Sequence, residues 1–151
     1  MNGVRDQGLL CLLGVSLALA ALAFLAGTPA QAQALGERPV NLAHRGASAS
    51  APENTFAAFD RAISDGADAL EIDVRLSADG RLLVIHDETV DRTTDGSSEV
   101  GSLSLDEISG LDAGYRFAPD DGHPYRDRGL SVPTLAETLG RYPEVPFNIE
   151  I

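Results

Sequence analysis

The chain has 151 residues and a formal net charge of −12, from 11 Lys and Arg against 23 Asp and Glu. A surface that acidic argues against nucleic acid and anionic bilayers as partners, since both repel it. The single cysteine, Cys11, leaves no disulfide framework and no cysteine-bound metal.

Residues 1–8 are polar with Arg5 as the one positive side chain, residues 9–27 are almost wholly apolar, and residues 28–34 offer small side chains in Ala30-Gln31-Ala32 and Ala32-Gln33-Ala34. That order is the layout of a secretory signal peptide over residues 1–34, followed by a linker at 35–39 and a domain at 40–151. The expected location is therefore outside the cytoplasm, periplasmic or secreted, with no stable membrane association after cleavage. The apolar run is close to bilayer-spanning length, so an uncleaved membrane anchor is the alternative. Cys11 falls inside this leader, and Arg5 cancels Asp6, so the acidity belongs to the mature part.

Val40, Asn41, Leu42 and Ala43 read as a buried strand running into His44-Arg45-Gly46. Asn54 or Thr55 is suited to cap a helix whose Phe56, Phe59, Ala62 and Ile63 form one apolar stripe, with Gly66 closing its C-terminus. A strand over residues 68–76 follows, so the opening is strand, helix, strand, as in a parallel α/β unit. Asp79-Gly80 then separates it from the β-rich run Leu82 to Ile85, a hairpin signal. With Asp79 and Gly80 as a two-residue loop, Ala78 pairs with Arg81, Asp73 faces His86, and Glu71 lies diagonal to it. Residues from about 94 to 130 are rich in Gly, Asp and Ser and read as an insertion over one end of the domain. Within it, Ser104 with Glu107 forms a capping box, while Tyr115, Phe117 and Tyr125 are expected to cover the core beneath a loop. Thr134 with Glu137 opens a further helix containing Leu135 and Leu139, and residues 145–151 form a third buried strand.

The chemistry concentrates at the strand ends. Alternate residues of a strand share a face, so Glu71 and Asp73 stand side by side while Leu70, Ile72 and Val74 turn to apolar packing. Two carboxylates that close repel unless a cation binds between them or one is protonated, which points to a hard, oxygen-preferring divalent ion. Taken singly, each candidate has a plainer reading. His44-Arg45 and His86-Asp87 fit ordinary strand ends, Glu71 and Asp73 fit an ion pair with Arg75 or Arg45, and Glu150 fits an exposed edge. Together they describe one site: Glu71, Asp73 and Glu150 holding a metal against a phosphoryl oxygen, Arg45 assisting, and His44 and His86 dividing the proton transfers of phosphodiester cleavage. Catalytic groups of parallel barrels gather at the C-terminal ends of the strands, as these do. No phosphate-cradling glycine loop or Gly-x-Ser-x-Gly elbow is present.

His44-Arg45-Gly46, Ala51-Pro52-Glu53-Asn54-Thr55, Glu71-Ile72-Asp73-Val74, Asp79-Gly80, Val84-Ile85-His86-Asp87, Val132-Pro133-Thr134-Leu135 and Asn148-Ile149-Glu150-Ile151 resemble, in order and spacing, the N-terminal half of glycerophosphodiester phosphodiesterases. The resemblance implies an α/β fold, a TIM-type (β/α)8 barrel of the phospholipase C-like phosphodiesterase type, of which about the first three strands plus a hairpin are present. It implies hydrolysis of a small-molecule glycerophosphodiester to sn-glycerol 3-phosphate and an alcohol, with Ca2+ or Mg2+ as cofactor. By position it assigns Glu71, Asp73 and Glu150 as metal ligands, His44 and His86 as acid and base, and Arg45 as the phosphate contact. The rival readings are a related lipid phosphodiesterase of the same fold and a non-catalytic exported metal-binding protein. An eight-stranded barrel usually needs ~250 residues, and the resemblance breaks off before a family lysine and the closing strands. The 151-residue chain alone is thus expected to fold poorly, expose strand edges and show little activity.

Overall fold

A computed structural model describes residues 39–151; the expected leader and all but the last residue of the linker lie outside the described residues. In chain order the elements are β1 (Leu42–His44), α1 (Phe56–Ser64), β2 (Ala69–Leu76), β3 (Leu82–Val84), α2 (Leu105–Ser109), α3 (Leu135–Arg141) and β4 (Phe147–Glu150). Strands β1 and β4 flank β2, both parallel to it, while β3 runs antiparallel to its C-terminal end. The carbonyls of Glu71 and Asp73 point to the same edge of β2, accepting from the Arg45 and Ile85 N–H groups, each at 3.0 Å. The hairpin therefore takes over as neighbour on that edge once β1 has ended.

Helix α1 forms where the apolar spacing predicts it, and Thr55 is its cap, its hydroxyl oxygen accepting from the Ala58 N–H. At the other end Gly66 adopts φ +87°, where a side chain would be strained, and the Ala67 N–H reaches back to the Ala62 carbonyl at 3.0 Å. Phe59 and Ala62 pack with Leu70, Ile72, Val84 and Tyr142 into one apolar cluster on the helix-covered face of the sheet. Burying a side chain such as Phe59, Leu70 or Ile72 contributes about 1.5–3 kcal/mol each. Ile63, expected in the same stripe, is exposed instead.

Three expectations are corrected. Strand β1 begins at Leu42 rather than Val40 and includes His44. The hairpin loop has three residues: Ser77 faces Arg81, Gly80 sits at φ +78°, and the Gly80 N–H bonds the Ser77 carbonyl at 3.0 Å. A left-handed glycine after a turn adds one residue to the loop and shifts the pairing by one, so Val74 pairs with Val84 and Asp73 lies opposite Ile85, not His86. Finally, the strand expected as buried over 145–151 is confined to Phe147–Glu150 and is largely exposed. The insertion packs against the domain. Ile108 of α2, Val90, Val100, Ala113 and Val132 enclose Leu83 and Ile85 in a second apolar cluster. Adjacent on β3, Leu83 and Val84 face opposite ways, one into each cluster. Both expected capping boxes are present, Ser104 with Glu107 and Thr134 with Glu137.

Candidate active site

The parallel register assembles the site. His44 pairs with Glu71 across β1 and β2, and Asp73 pairs with Glu150 across β2 and β4. Paired residues share a face and so do residues two apart, which puts His44, Glu71, Asp73 and Glu150 on one side of the sheet at the strand C-termini. Leu70 and Ile72 occupy the opposite side and are fully buried. Carboxylate oxygens of Glu71, Asp73 and Glu150 lie within 4.8 Å of one another.

A left-handed turn after β1 supplies the next contacts. Arg45 (φ +56°) and Gly46 (φ +77°) swing the chain so that the Arg45 N–H donates to both the Glu71 carbonyl at 3.0 Å and Glu71 Oε2 at 2.8 Å. A non-glycine residue held in that region costs on the order of 1–3 kcal/mol, and here the strain aims a backbone donor at the Glu71 carboxylate. The Arg45 side chain runs over the carboxylates, with Nε 3.2 Å from Asp73 Oδ2 in an ion-pair contact that lacks hydrogen-bond alignment. The reading of an ion pair with Arg45 is therefore partly right, whereas Arg75 turns away and donates to the His86 carbonyl at 2.9 Å. Asn54, also at positive φ, does not cap α1; its amide donates to Asp73 Oδ2 at 2.9 Å.

Whether these residues suit a metal is decided by what they leave unsatisfied. Glu71 is only 3% exposed, and its Oε1 is buried with no hydrogen-bond partner among the described residues. An unmatched buried carboxylate oxygen is costly unless something positive meets it. An all-oxygen set with two buried acids and one exposed acid suits a hard divalent cation.

The histidines sit at the rim. His44 is 68% exposed in its side chain, with Nε2 4.0 Å from Glu71 Oε2. Despite the shifted register, His86, which follows the last ladder bond at Ile85, lines a cavity of about 100 Å³ with Asp73 and Glu150. The Nδ1 of His86 lies 2.6 Å from Asp87 Oδ1. Arg92 donates to Asp87 from Nε at 2.7 Å and Nη2 at 3.0 Å, and to Glu53 from Nη1 at 2.6 Å and Nη2 at 2.7 Å. Glu53 in turn accepts from Arg45 Nη1 at 3.1 Å. The hydrogen bond from Arg92 leads in holding the Asp87 pKa well below the ordinary carboxylate range, and the Glu53 and Asp87 bonds raise that of Arg92. Burial works against ionisation of Glu53, yet Arg92 and Arg45 outweigh it and lower its pKa.

Sequence reasoning placed all six candidates near one another but assigned no site role to Glu53, Asn54, Asp87 or Arg92. Three of these lie inside the recognised motifs; Arg92 had no local signal, since its partner Glu53 is 39 residues away. Of the loop aromatics, Phe117 stacks edge-on against Tyr125 with centroids 5.4 Å apart and lines a cavity of about 250 Å³ with Glu53 and Arg92. Tyr115 lies under the Arg126 guanidinium at 3.9 Å.

The sequence pattern of the Glycerophosphoryl diester phosphodiesterase family matches residues 44–151, a span that holds every residue of the site. The chain belongs to that family. It is 49% identical over 112 residues to the glycerophosphodiester phosphodiesterase of Caldanaerobacter subterraneus subsp. tengcongensis, covering 73% of this chain and 44% of that one. The crystal structure of glycerophosphodiester phosphodiesterase from Agrobacterium tumefaciens superposes with a TM-score of 0.64 at 49% identity, over 72% of this chain and 45% of that one. An Oleispira antarctica phosphodiesterase, solved in complex with the product sn-glycerol-3-phosphate, gives 0.63 at 38% identity, over 74% and 43% of the two chains. The chain thus spans less than half the length of the relatives it matches, and β1, β2 and β4 are parallel strands of the family's TIM-type barrel.

Proposed function

We propose that the protein hydrolyses glycerophosphodiesters to sn-glycerol 3-phosphate and an alcohol, at a site where Glu71, Asp73 and Glu150 hold Ca2+ or Mg2+. The observation that carries this reading is the convergence of those carboxylates, with Glu71 Oε1 buried and unmatched, beside Arg45 and two histidines. The Oleispira antarctica phosphodiesterase, solved in complex with the product sn-glycerol-3-phosphate, supports the same substrate class.

When bound, the cation would neutralise a phosphoryl oxygen and stabilise the charge that develops there. Arg45 spends Nη1 on Glu53 and turns Nε to Asp73, leaving Nη2 to meet a phosphate oxygen. The substrate's own glycerol hydroxyl attacks phosphorus; one histidine takes its proton while the other gives a proton to the departing alkoxide. The bond from phosphorus to the alcohol breaks as the new ring bond forms, and water then opens the cyclic phosphate. His44, beside Glu71, and His86, which lines a cavity with Asp73 and Glu150, divide these two roles.

The leader-like residues 1–34 and the thiol-free remainder support an exported enzyme, periplasmic or secreted, with a domain at 40–151. Replacing His86 with Ala tests catalysis against simple metal binding. Turnover of glycerophosphocholine should fall by roughly 10²–10⁴-fold while calcium affinity persists; unchanged turnover would refute the role given to His86.

A further inference from the structure

We propose that Arg92 is a positioning residue: by bridging Glu53 and Asp87 it holds the phosphate-facing Arg45 and the proton-transferring His86 in one arrangement, with Nε2 of His86 left free for chemistry. This rests on the function proposed above for Arg45 and His86. Four hydrogen bonds leave one guanidinium and end on two carboxylates from different loops, Glu53 before α1 and Asp87 after β3. Each carboxylate holds a second partner, Arg45 Nη1 at 3.1 Å for Glu53 and His86 Nδ1 at 2.6 Å for Asp87. The result is a continuous chain, Arg45, Glu53, Arg92, Asp87, His86, around the rim of the metal-binding carboxylates.

An ionised carboxylate accepts and cannot donate, so the contact with Asp87 requires the proton to sit on His86 Nδ1. In the neutral ring Nε2 then has a free lone pair, the form needed to take a proton. A planar guanidinium can grip two carboxylates at once, whereas a lysine ammonium is a single point of charge. Losing the bridge would free Asp87 to rotate, and His86 with it, and would loosen Glu53 beneath Arg45. Misplacing a catalytic group by about 1 Å costs up to ~10²-fold in rate.

The test uses protein expressed from its full open reading frame, with calcium present. Long-range proton–nitrogen NMR of His86, at a pH where the ring is neutral, should show the proton on Nδ1 in the wild type and a mixture of tautomers in Arg92→Lys. The same variant should lose roughly ten- to hundredfold in kcat for glycerophosphocholine. In Arg92→Ala, added guanidinium ion should restore part of both kcat and the wild-type tautomer. A wild-type His86 carrying its proton on Nε2 overturns the proposal whether or not any variant folds. So does an Arg92→Lys protein with unaltered spectrum and kcat. A wild type without turnover sinks the proposed function instead, while the spectra still decide for or against the bridge.

Discussion

Glu71 Oε1 is the most exacting atom in the site, because burial strips it of water and none of the described residues offers it a donor. Its other oxygen is already held by the Arg45 N–H. Glu71→Gln keeps the shape but puts a neutral amide where a charged oxygen is needed. Isothermal titration with Ca2+ should show affinity lower by at least ~10-fold, the lower bound seen even for outer partners of metal ligands. Unchanged affinity would mean that the ion binds elsewhere. The pairing of Arg92 with Asp87 makes a separate prediction in pH. The folded-state pKa of Asp87 lies below its ordinary 3.8, so its contribution to stability is present above that value and is lost as pH falls through the folded pKa. The lowered pKa of Glu53 acts in the same sense below its ordinary 4.5. Denaturant titrations across that acid range should show a steeper loss of stability in the wild type than in Arg92→Gln; identical slopes would deny the network its electrostatic role.

Among the elements, the β1-to-α1 turn is where backbone geometry and site meet. A Cβ on Gly46 would stand 2.8 Å from the carbonyl carbon and Cβ of Ala58, at a φ of +77°. Gly46→Ala should therefore lower unfolding stability by more than the ~1–3 kcal/mol of such a conformation alone, measured by urea denaturation. Thr134→Ala removes a capping box that bonds Glu137 both ways and should cost about 1 kcal/mol. That box, like Thr55 and the β2 alternation, was readable from sequence because its signal spans only a few residues. The carboxylate pair was legible for the same reason, since Glu71 and Asp73 obey a period of two whatever surrounds them. The hairpin register was not, since whether Ala78 joins the loop depends on the conformation of Gly80. Nor was the way the insertion packs, for Val100, Ile108 and Ala113 follow neither strand nor helix spacing and meet Val90 only through tertiary folding. The Arg92 bridge joins loops far apart in the chain and leaves no local trace.

At the scale of the whole molecule, an open sheet carries the site. Among the described residues, the outer edges of β1 and β4 have no strand partner, and Val40, Leu42, Ile149 and Ile151 are exposed there. Unpaired apolar edges invite pairing between copies. The 151-residue chain expressed alone should self-associate in size-exclusion chromatography with light scattering, and a clean monomer would contradict that expectation. The carboxylates and His44 are set by the parallel register of β1, β2 and β4, which puts His44 beside Glu71 and Asp73 beside Glu150. The measurement that bears most directly on its purpose is release of sn-glycerol 3-phosphate from glycerophosphocholine by the protein from its full open reading frame, followed through chelation and metal add-back. Turnover should vanish with chelator, return with Ca2+ or Mg2+, and stay absent in Glu71→Gln; release that ignores both the chelator and the substitution would contradict the account.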